Sequence, residues 1–260
     1  MNIVETFYSI QGEGPYTGRS SLFIRFSGCN LHCQWGEHKC DTPYTSWEPE
    51  KGSMTMDEVV KKIQSLCHDC KHVVITGGEP TMYATAGSNG RLNRLCTTLN
   101  DLGYILDIET NGTGPIPPEV RTIVCSPKLS DSTPVNSSWE KHHEKKRKQL
   151  HSCITSFYSP INCPRPEKNY GITSSGNPRN NLNQKLFLKF VVGKKTNIDE
   201  LKGIANNLFC PNDHVYLMPE GLTTKDILAN SPKVAALALK LGYNFSTRLH
   251  VLLWDAKRGI

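Results

Sequence analysis

Three of the chain's ten cysteines, Cys29, Cys33 and Cys40, crowd into one short stretch, separated by three and then six residues. Three thiolates on one loop can hold three irons of a [4Fe–4S] cluster and leave the fourth iron open to a substrate or cofactor. The same thiolates with His32 or His38 would also suit tetrahedral zinc, so spacing alone leaves both open. A second pair, Cys67-His68-Asp69-Cys70, reads as inert helix-end cysteines. With Cys153 or Cys163 it would make an auxiliary metal site.

The opening MNIVETFYSIQGEG has no basic region followed by an apolar run, so it is not read as a secretory signal. No apolar run approaches the roughly 18 residues of a membrane span. The expected compartment is the cytoplasm, where metal or catalytic use of thiols is favoured over disulfides. A length of 260 residues with 37% hydrophobic content suits one domain with a full core. The net charge of +6 is partly local, in EKHHEKKRK at 140–148. Few aromatics interleave that run, so it reads as a solvated stretch, with no direct nucleic-acid contact expected.

The elements that must carry these residues alternate. Strands are expected at 21–26, 72–76, 104–109, 121–125, 185–192, 214–218 and near 244–252. Helices are expected at 55–67, opened by a Thr55/Glu58 capping box, and at 91–102, with Leu92, Leu95, Leu99 and Leu102 on one face and Gly103 as stop. Others are expected near 137–153 and 198–208, and from a Ser231-Pro232 start to Leu241 with Gly242 as stop. Such βα alternation implies an α/β fold with a parallel sheet of about six strands, an open partial barrel. Residues 129–184 are rich in Ser, Pro, Asn and Lys and read as an insertion or flap within a single domain, 1–260. Unusual tripeptides follow four strands: Gly28-Cys29, Gly77-Gly78-Glu79-Pro80, Glu109-Thr110-Asn111-Gly112 and Ser126-Pro127-Lys128. The carboxyl ends of parallel strands share one rim, where ligands bind.

The ordered set FYSIQGEG, RFSGCNLHC, CDT, ITGGEP, IETNGT and CSPK, with YLMPEG at 216–221 and the tail RLHVLLWDAKRGI, resembles the radical SAM superfamily. Within it, the chain resembles the 7-carboxy-7-deazaguanine synthases over nearly its whole length, most weakly in 129–184. The resemblance implies a [4Fe–4S] cluster on Cys29, Cys33 and Cys40, S-adenosylmethionine (SAM) and Mg²⁺. It implies conversion of 6-carboxy-5,6,7,8-tetrahydropterin to 7-carboxy-7-deazaguanine with loss of ammonia, for 7-deazapurine (queuosine-type) biosynthesis. It also implies a flavodoxin or ferredoxin as reductant and a homodimer. Residue by residue, it implies substrate contacts at Ile10, Gln11, Gly12, Glu13, Arg25, Thr76, His250 and Ile260, with Arg25 on the substrate carboxylate. Thr42 would ligate Mg²⁺. SAM contacts would come from Lys39, Asp41, Gly78, Glu79, Glu109, Ser126, Pro127 and Lys128 and from Tyr216, Leu217, Met218 and Pro219. The missing side chain of Gly78 would admit the methionyl group.

The usual cysteine spacing of the superfamily is three then two, so 36–39 is expected to bulge outward and Trp35 takes no assigned role. Two other readings compete. Another radical SAM enzyme would share the cysteines and GGEP but lack the QGEG, Thr42 and ETNGT combination. A non-catalytic metal-binding, RNA-binding protein would use the 140–148 run.

Overall fold

A computed structural model of the chain describes residues 1–87, 89–158, 184–255 and 257–260. The expected insertion at 129–184 and the cysteine at 163 therefore lie partly or wholly outside the described residues. The elements in chain order are β1 (Ile3–Ile10), β2 (Ser20–Phe26), β3 (Gln34–Trp35), β4 (His38–Lys39), α1 (Pro43–Ser46), α2 (Met56–Leu66), β5 (His72–Gly77), α3 (Arg91–Asp101), β6 (Ile105–Thr110), β7 (Val120–Cys125), α4 (Glu140–Arg147), α5 (Ser152–Thr155), β8 (Lys185–Val192), α6 (Ile198–Asn207), β9 (Val215–Pro219), α7 (Thr224–Leu241), β10 (Asn244–Phe245) and α8 (Leu249–Trp254).

Eight of these strands form one sheet in the order β1-β2-β5-β6-β7-β8-β9-β10. From β2 to β10 every pairing is parallel, and β1 adds an antiparallel edge. The two edges do not pair with each other, so the barrel is open, as expected. The inner strands are near-continuous apolar runs because sheet and helices bury both faces. Val73, Val74 and Ile75 of β5 are fully buried. Helix α2 is fixed by the expected capping box: Glu58 N–H donates to Thr55 Oγ1 (3.2 Å), and Thr55 N–H donates to Glu58 Oε2 (2.7 Å). Its inward Val59 and Ile63 join Leu92, Leu95 and Leu99 of α3 in the core.

Several expectations need correction. The antiparallel β1 was not anticipated, because IVETFYSI mixes polar residues into a strand with one partly covered face. Leu102 caps α3 and is 43% exposed, outside its buried face. Helix α7 begins at Thr224, not at Ser231-Pro232. A capping box of Thr223 and Asp226 starts it and Pro232 lies inside. Proline in a helix interior costs about 3 kcal/mol, yet Ser231 Oγ donates to Ile227 O (2.6 Å) and Ile227, Val234 and Ala238 are buried, so cap and core carry the helix through. The last segment is not a strand over 244–252: a two-residue β10 precedes α8, whose Val251 is buried.

The 140–148 run is likewise not a wholly solvated stretch. It forms α4, with His143 and Arg147 turned inward and buried. Arg147 pairs with Glu144 (2.6 Å) and Glu200 (2.5 Å). No helix among the described residues is long and apolar enough to cross a membrane.

Candidate active site at the carboxyl rim of the sheet

Chain direction brings the cysteine loop off the end of β2. Gly28 turns with φ +95°, where a side chain is disfavoured, and its N–H donates to Thr45 O (2.8 Å). Its carbonyl accepts Glu79 N–H (2.8 Å), so the cysteine loop, α1 and the β5 loop are laced together. Residues 34–39 form a hairpin of β3 and β4. Gly36, first of its two turn residues, has φ +60°, where a II′ hairpin places glycine. At the hairpin's base Cys40 N–H donates to Cys33 O (3.0 Å). The extra residues between Cys33 and Cys40 are thus looped out and exposed from 36 to 39, as expected, while the two cysteines stay together. Trp47 Nε1 also donates to Cys33 O (3.1 Å).

The three thiols line one cavity of about 630 Å³, within the range of small-molecule sites. Among the described residues no three of His, Cys, Asp and Glu form a site for a single metal ion. Burial pushes the Cys33 thiol up to about 12, against the pull of Lys128, and raises Cys29 and Cys40 as well. At neutral pH these groups are thiols, so they act as ligands only when metal displaces their protons. Cys67 caps the end of α2, and Cys70 is buried with Sγ near Ser20 O and His72 O (3.6 Å each).

Across the cavity lies a network of buried charges. Glu13 bonds Lys189 through Oε2 and Arg248 Nε through Oε1 (2.9 Å). Arg248 also reaches Asp41 and donates to Gly221 O (2.6 Å). Lys189 Nζ lies 3.9 Å from Glu109 Oε1, which accepts Gln11 Nε2–H (3.1 Å). The other Glu109 oxygen accepts Thr76 Oγ1–H (2.8 Å). Burial alone would raise the Glu13 carboxyl, but Lys189 and Arg248 hold it well below the ordinary carboxylate range. Burial would likewise lower Lys189, and Glu13 and Glu109 more than reverse it, so the amine stays charged. His250 is lowered by burial despite Glu13, which favours the neutral ring. Its ring packs where a Cβ on Gly12 would stand, 1.9 Å from Nδ1.

Of the residues singled out in the sequence, Ile10, Gln11, Gly12, Glu13, Arg25, Lys39, Asp41, Thr42, Thr76, Gly78, Glu109, Ser126, Lys128, Met218, Pro219, His250 and Ile260 line this cavity with the three cysteines. Glu79, Pro127, Tyr216 and Leu217 do not. Glu79 is fully buried and its carboxylate is filled by its own chain. It accepts from Thr81 N (3.0 Å), Thr81 Oγ1 (2.5 Å), Thr110 Oγ1 (2.7 Å) and Asn111 N (2.6 Å), which staples the β5 loop to the β6 loop. Tyr216 and Leu217 sit too far back along β9. The space a Gly78 side chain would need is already taken by Gly28 O (2.2 Å) and Thr45 O (2.5 Å), so this glycine serves chain packing first. Glu109, expected on the SAM side, sits with Gln11 and Thr76 of the substrate set. Arg25 donates through Nε to Glu5 (2.8 Å), and among the described residues its two terminal nitrogens have no hydrogen bond.

Sequence reasoning missed Lys189, a single basic residue with no motif around it, Arg248, which opens the RLHVLLWDAKRGI tail but was given no role, and the packing of α4 on the cysteine loop. His143 Nδ1 accepts His32 N–H (3.2 Å), and the His32 ring stacks on Trp139 at 3.6 Å. His142 Nε2 lies 3.1 Å from Asn30 O.

The Radical SAM superfamily model matches residues 23–123. A 7-carboxy-7-deazaguanine synthase of Halobacterium salinarum is 34% identical, the match covering 97% of this chain and 90% of that one. One of Rhodopirellula baltica is 33% identical over 99% and 88%. The crystal structure of QueE from Escherichia coli aligns with a TM-score of 0.56 at 20% identity, over 95% of this chain and 93% of that one, a likeness of fold. By the identity and coverage of these relatives, the chain, with three thiols on the rim of an open parallel sheet, belongs to the 7-carboxy-7-deazaguanine synthase family of radical SAM enzymes.

Proposed function

We propose that this cavity converts 6-carboxy-5,6,7,8-tetrahydropterin to 7-carboxy-7-deazaguanine and ammonia, with its residues divided as follows. Cys29, Cys33 and Cys40 hold a [4Fe–4S] cluster. Three thiols around one cavity, with no fourth thiol lining it among the described residues, suit it. When bound, such a cluster would supply the electron for reductive cleavage of SAM, the source of the 5′-deoxyadenosyl radical that abstracts hydrogen in this class of reaction. Gly78, Ser126, Lys128, Met218 and Pro219 hold SAM on the cluster side, where Lys128 Nζ donates to Ser126 Oγ (2.9 Å).

Substrate is held on the other side. The free edge of the Arg25 guanidinium takes the substrate carboxylate in a two-pronged bond. Gln11, Glu13, Thr76 and Glu109 meet the polar edge of the pterin. Lys189 stays charged and acts as a fixed positive charge rather than a base. Neutral His250 offers a donor and an acceptor, and Ile260 borders the mouth. For Mg²⁺, Thr42 Oγ1 and Asp41 Oδ1 lie 3.4 Å apart at the cavity wall, a pair of hard oxygen donors. The proposal includes a single domain with an insertion at 129–184, a flavodoxin or ferredoxin as reductant, a homodimer and a cytoplasmic site of action.

The observation that carries the reading is that the cysteine loop and the buried Glu13–Lys189–Arg248 network open into one cavity. The test is anaerobic reconstitution with iron and sulfide, then SAM, Mg²⁺, dithionite and the pterin, with product read by mass spectrometry. The expected product is 7-carboxy-7-deazaguanine. 5′-Deoxyadenosine without it would remove the pterin from the proposal, and neither compound from a loaded cluster would remove both.

A further inference from the structure

The cluster has to receive an electron from outside the chain. In its loop, His32 lies beside the ligand Cys33, is only 7% exposed and does not line the cavity. The His32 ring is stacked on Trp139, at 3.6 Å between centroids and 10° between planes. Trp139 is 41% exposed. One face of a surface indole therefore rests on a side chain of the cluster loop. Helix α4 touches that loop twice more, through His142 at Asn30 O (3.1 Å) and His143 at His32 N–H (3.2 Å).

Positive charge predominates on α4 and its C-cap, with Lys141, Lys145, Lys146, Arg147 and Lys148 against Glu140 and Glu144. Lys141 and Lys145, one turn apart, are exposed, and neither has an ion pair among the described residues. The helix's acids are occupied: Glu140 accepts Asn136 N–H (2.7 Å), and Glu144 pairs with Arg147 and Lys148 (2.6 Å each). A free lysine stripe beside an exposed aromatic that stacks on the cluster loop complements an acidic protein.

We infer that the outer face of α4, centred on Trp139 and flanked by Lys141 and Lys145, docks an acidic one-electron carrier protein that reduces the cluster. The inference rests on the cluster reading above. The carrier is oxidised by one electron and the cluster reduced by one, and no bond to the carrier forms. Neither lysine lines the cavity.

The test uses the full chain with its cluster reconstituted, comparing wild type with a K141E/K145E double variant. 5′-Deoxyadenosine formation is measured with reduced flavodoxin as donor and, separately, with dithionite. Docking predicts that the variant loses about tenfold or more in flavodoxin-driven kcat/KM and stays within about twofold of wild type with dithionite. It also predicts that flavodoxin binding to the cluster-free chain, read by fluorescence anisotropy, weakens with added salt and in the variant; equal binding by wild type and variant overturns the inference. A flavodoxin-driven rate unchanged by the substitutions overturns the inference, including where the stripe instead binds RNA or seats a second copy of the chain. Equal losses in both arms overturn it too, since the lysines then serve the cluster or the fold. A wild type that makes no 5′-deoxyadenosine with dithionite overturns the cluster reading itself.

Discussion

At the scale of single residues, the site joins two kinds of chemistry with opposite electrostatic needs. The thiols are raised by burial and wait for metal, while Glu13 is held ionised by two buried cations. Removing one member of such a buried network leaves the others uncompensated. Glu13→Gln is expected to destabilise the chain by about 3 kcal/mol, as read by urea unfolding; a change below about 1 kcal/mol would mean Lys189 and Arg248 find other partners. Arg25→Lys keeps the charge and the length but not the fork. It should lower kcat/KM for the pterin by roughly 30- to 100-fold with iron content unchanged; a variant that kept wild-type kcat/KM would remove Arg25 from the carboxylate. That Cys29, Cys33, Cys40, Arg25, Thr42 and Gln11 share one cavity could be anticipated because each stands in or beside a local motif. Lys189 was not, because a lysine in KLFLKFVV looks like any strand residue until Glu13, far away in sequence, faces it. Glu79 was legible as a motif residue and misread as a ligand, since only the fold shows its carboxylate filled by Thr81, Thr110 and Asn111.

Elements explain how an unusual cysteine spacing keeps its geometry. The β3–β4 hairpin makes the long interval between Cys33 and Cys40 short in space, and its turn depends on Gly36 at φ +60°. Gly36→Val forces a β-branched side chain into that region, at about 1–2 kcal/mol. The expected outcome is a lower melting temperature and substoichiometric iron after reconstitution. Full iron occupancy would show that the turn does not govern the third ligand. Helix α4 holds the other end of the loop through His143, whose ring burial lowers to a pKa of about 4 with Arg147 adding to the shift. Because the folded value lies below the unfolded 6.5, the full stability is present above pH 6.5 and is lost as pH falls toward 4. A His143→Gln chain should show a flatter stability curve over that window by circular dichroism melts; an unchanged curve would place the pH dependence elsewhere. Strong caps and apolar periods made α2 and most parallel strands readable. The start of α7 was not, because Pro232 is a strong local stop signal that a capping box and core contacts outweigh. The two-residue β10 and α8 were not either, because LHVLLW is too short for its period to separate helix from strand.

Taken as a whole, the molecule is an open parallel sheet whose carboxyl rim collects residues from both ends of the chain. The tail reaches back across it: Arg258 pairs with Glu5 (2.7 Å) and Glu50 (2.9 Å) and lies over the Tyr44 ring at 3.5 Å, so Lys257 to Ile260 border the cavity. Arg258→Ala should raise KM for the pterin several-fold, with cluster content and melting temperature nearly unchanged, because an exposed ion pair stabilises little. A KM equal to wild type would detach the tail from substrate closure. That a rim site exists could be inferred from motifs following successive strands. Which residues meet across it depended on long-range pairings that no local pattern encodes, and the antiparallel β1 edge is one of them.

The central claim is that one cavity holds SAM and the pterin together, so that hydrogen passes directly between them. It is tested by turning over 6-carboxytetrahydropterin deuterated on its saturated ring carbons and analysing the 5′-deoxyadenosine by mass spectrometry. Direct transfer predicts deuterium in the 5′-deoxyadenosine alongside 7-carboxy-7-deazaguanine. Unlabelled 5′-deoxyadenosine formed at the same rate with and without the pterin would contradict it.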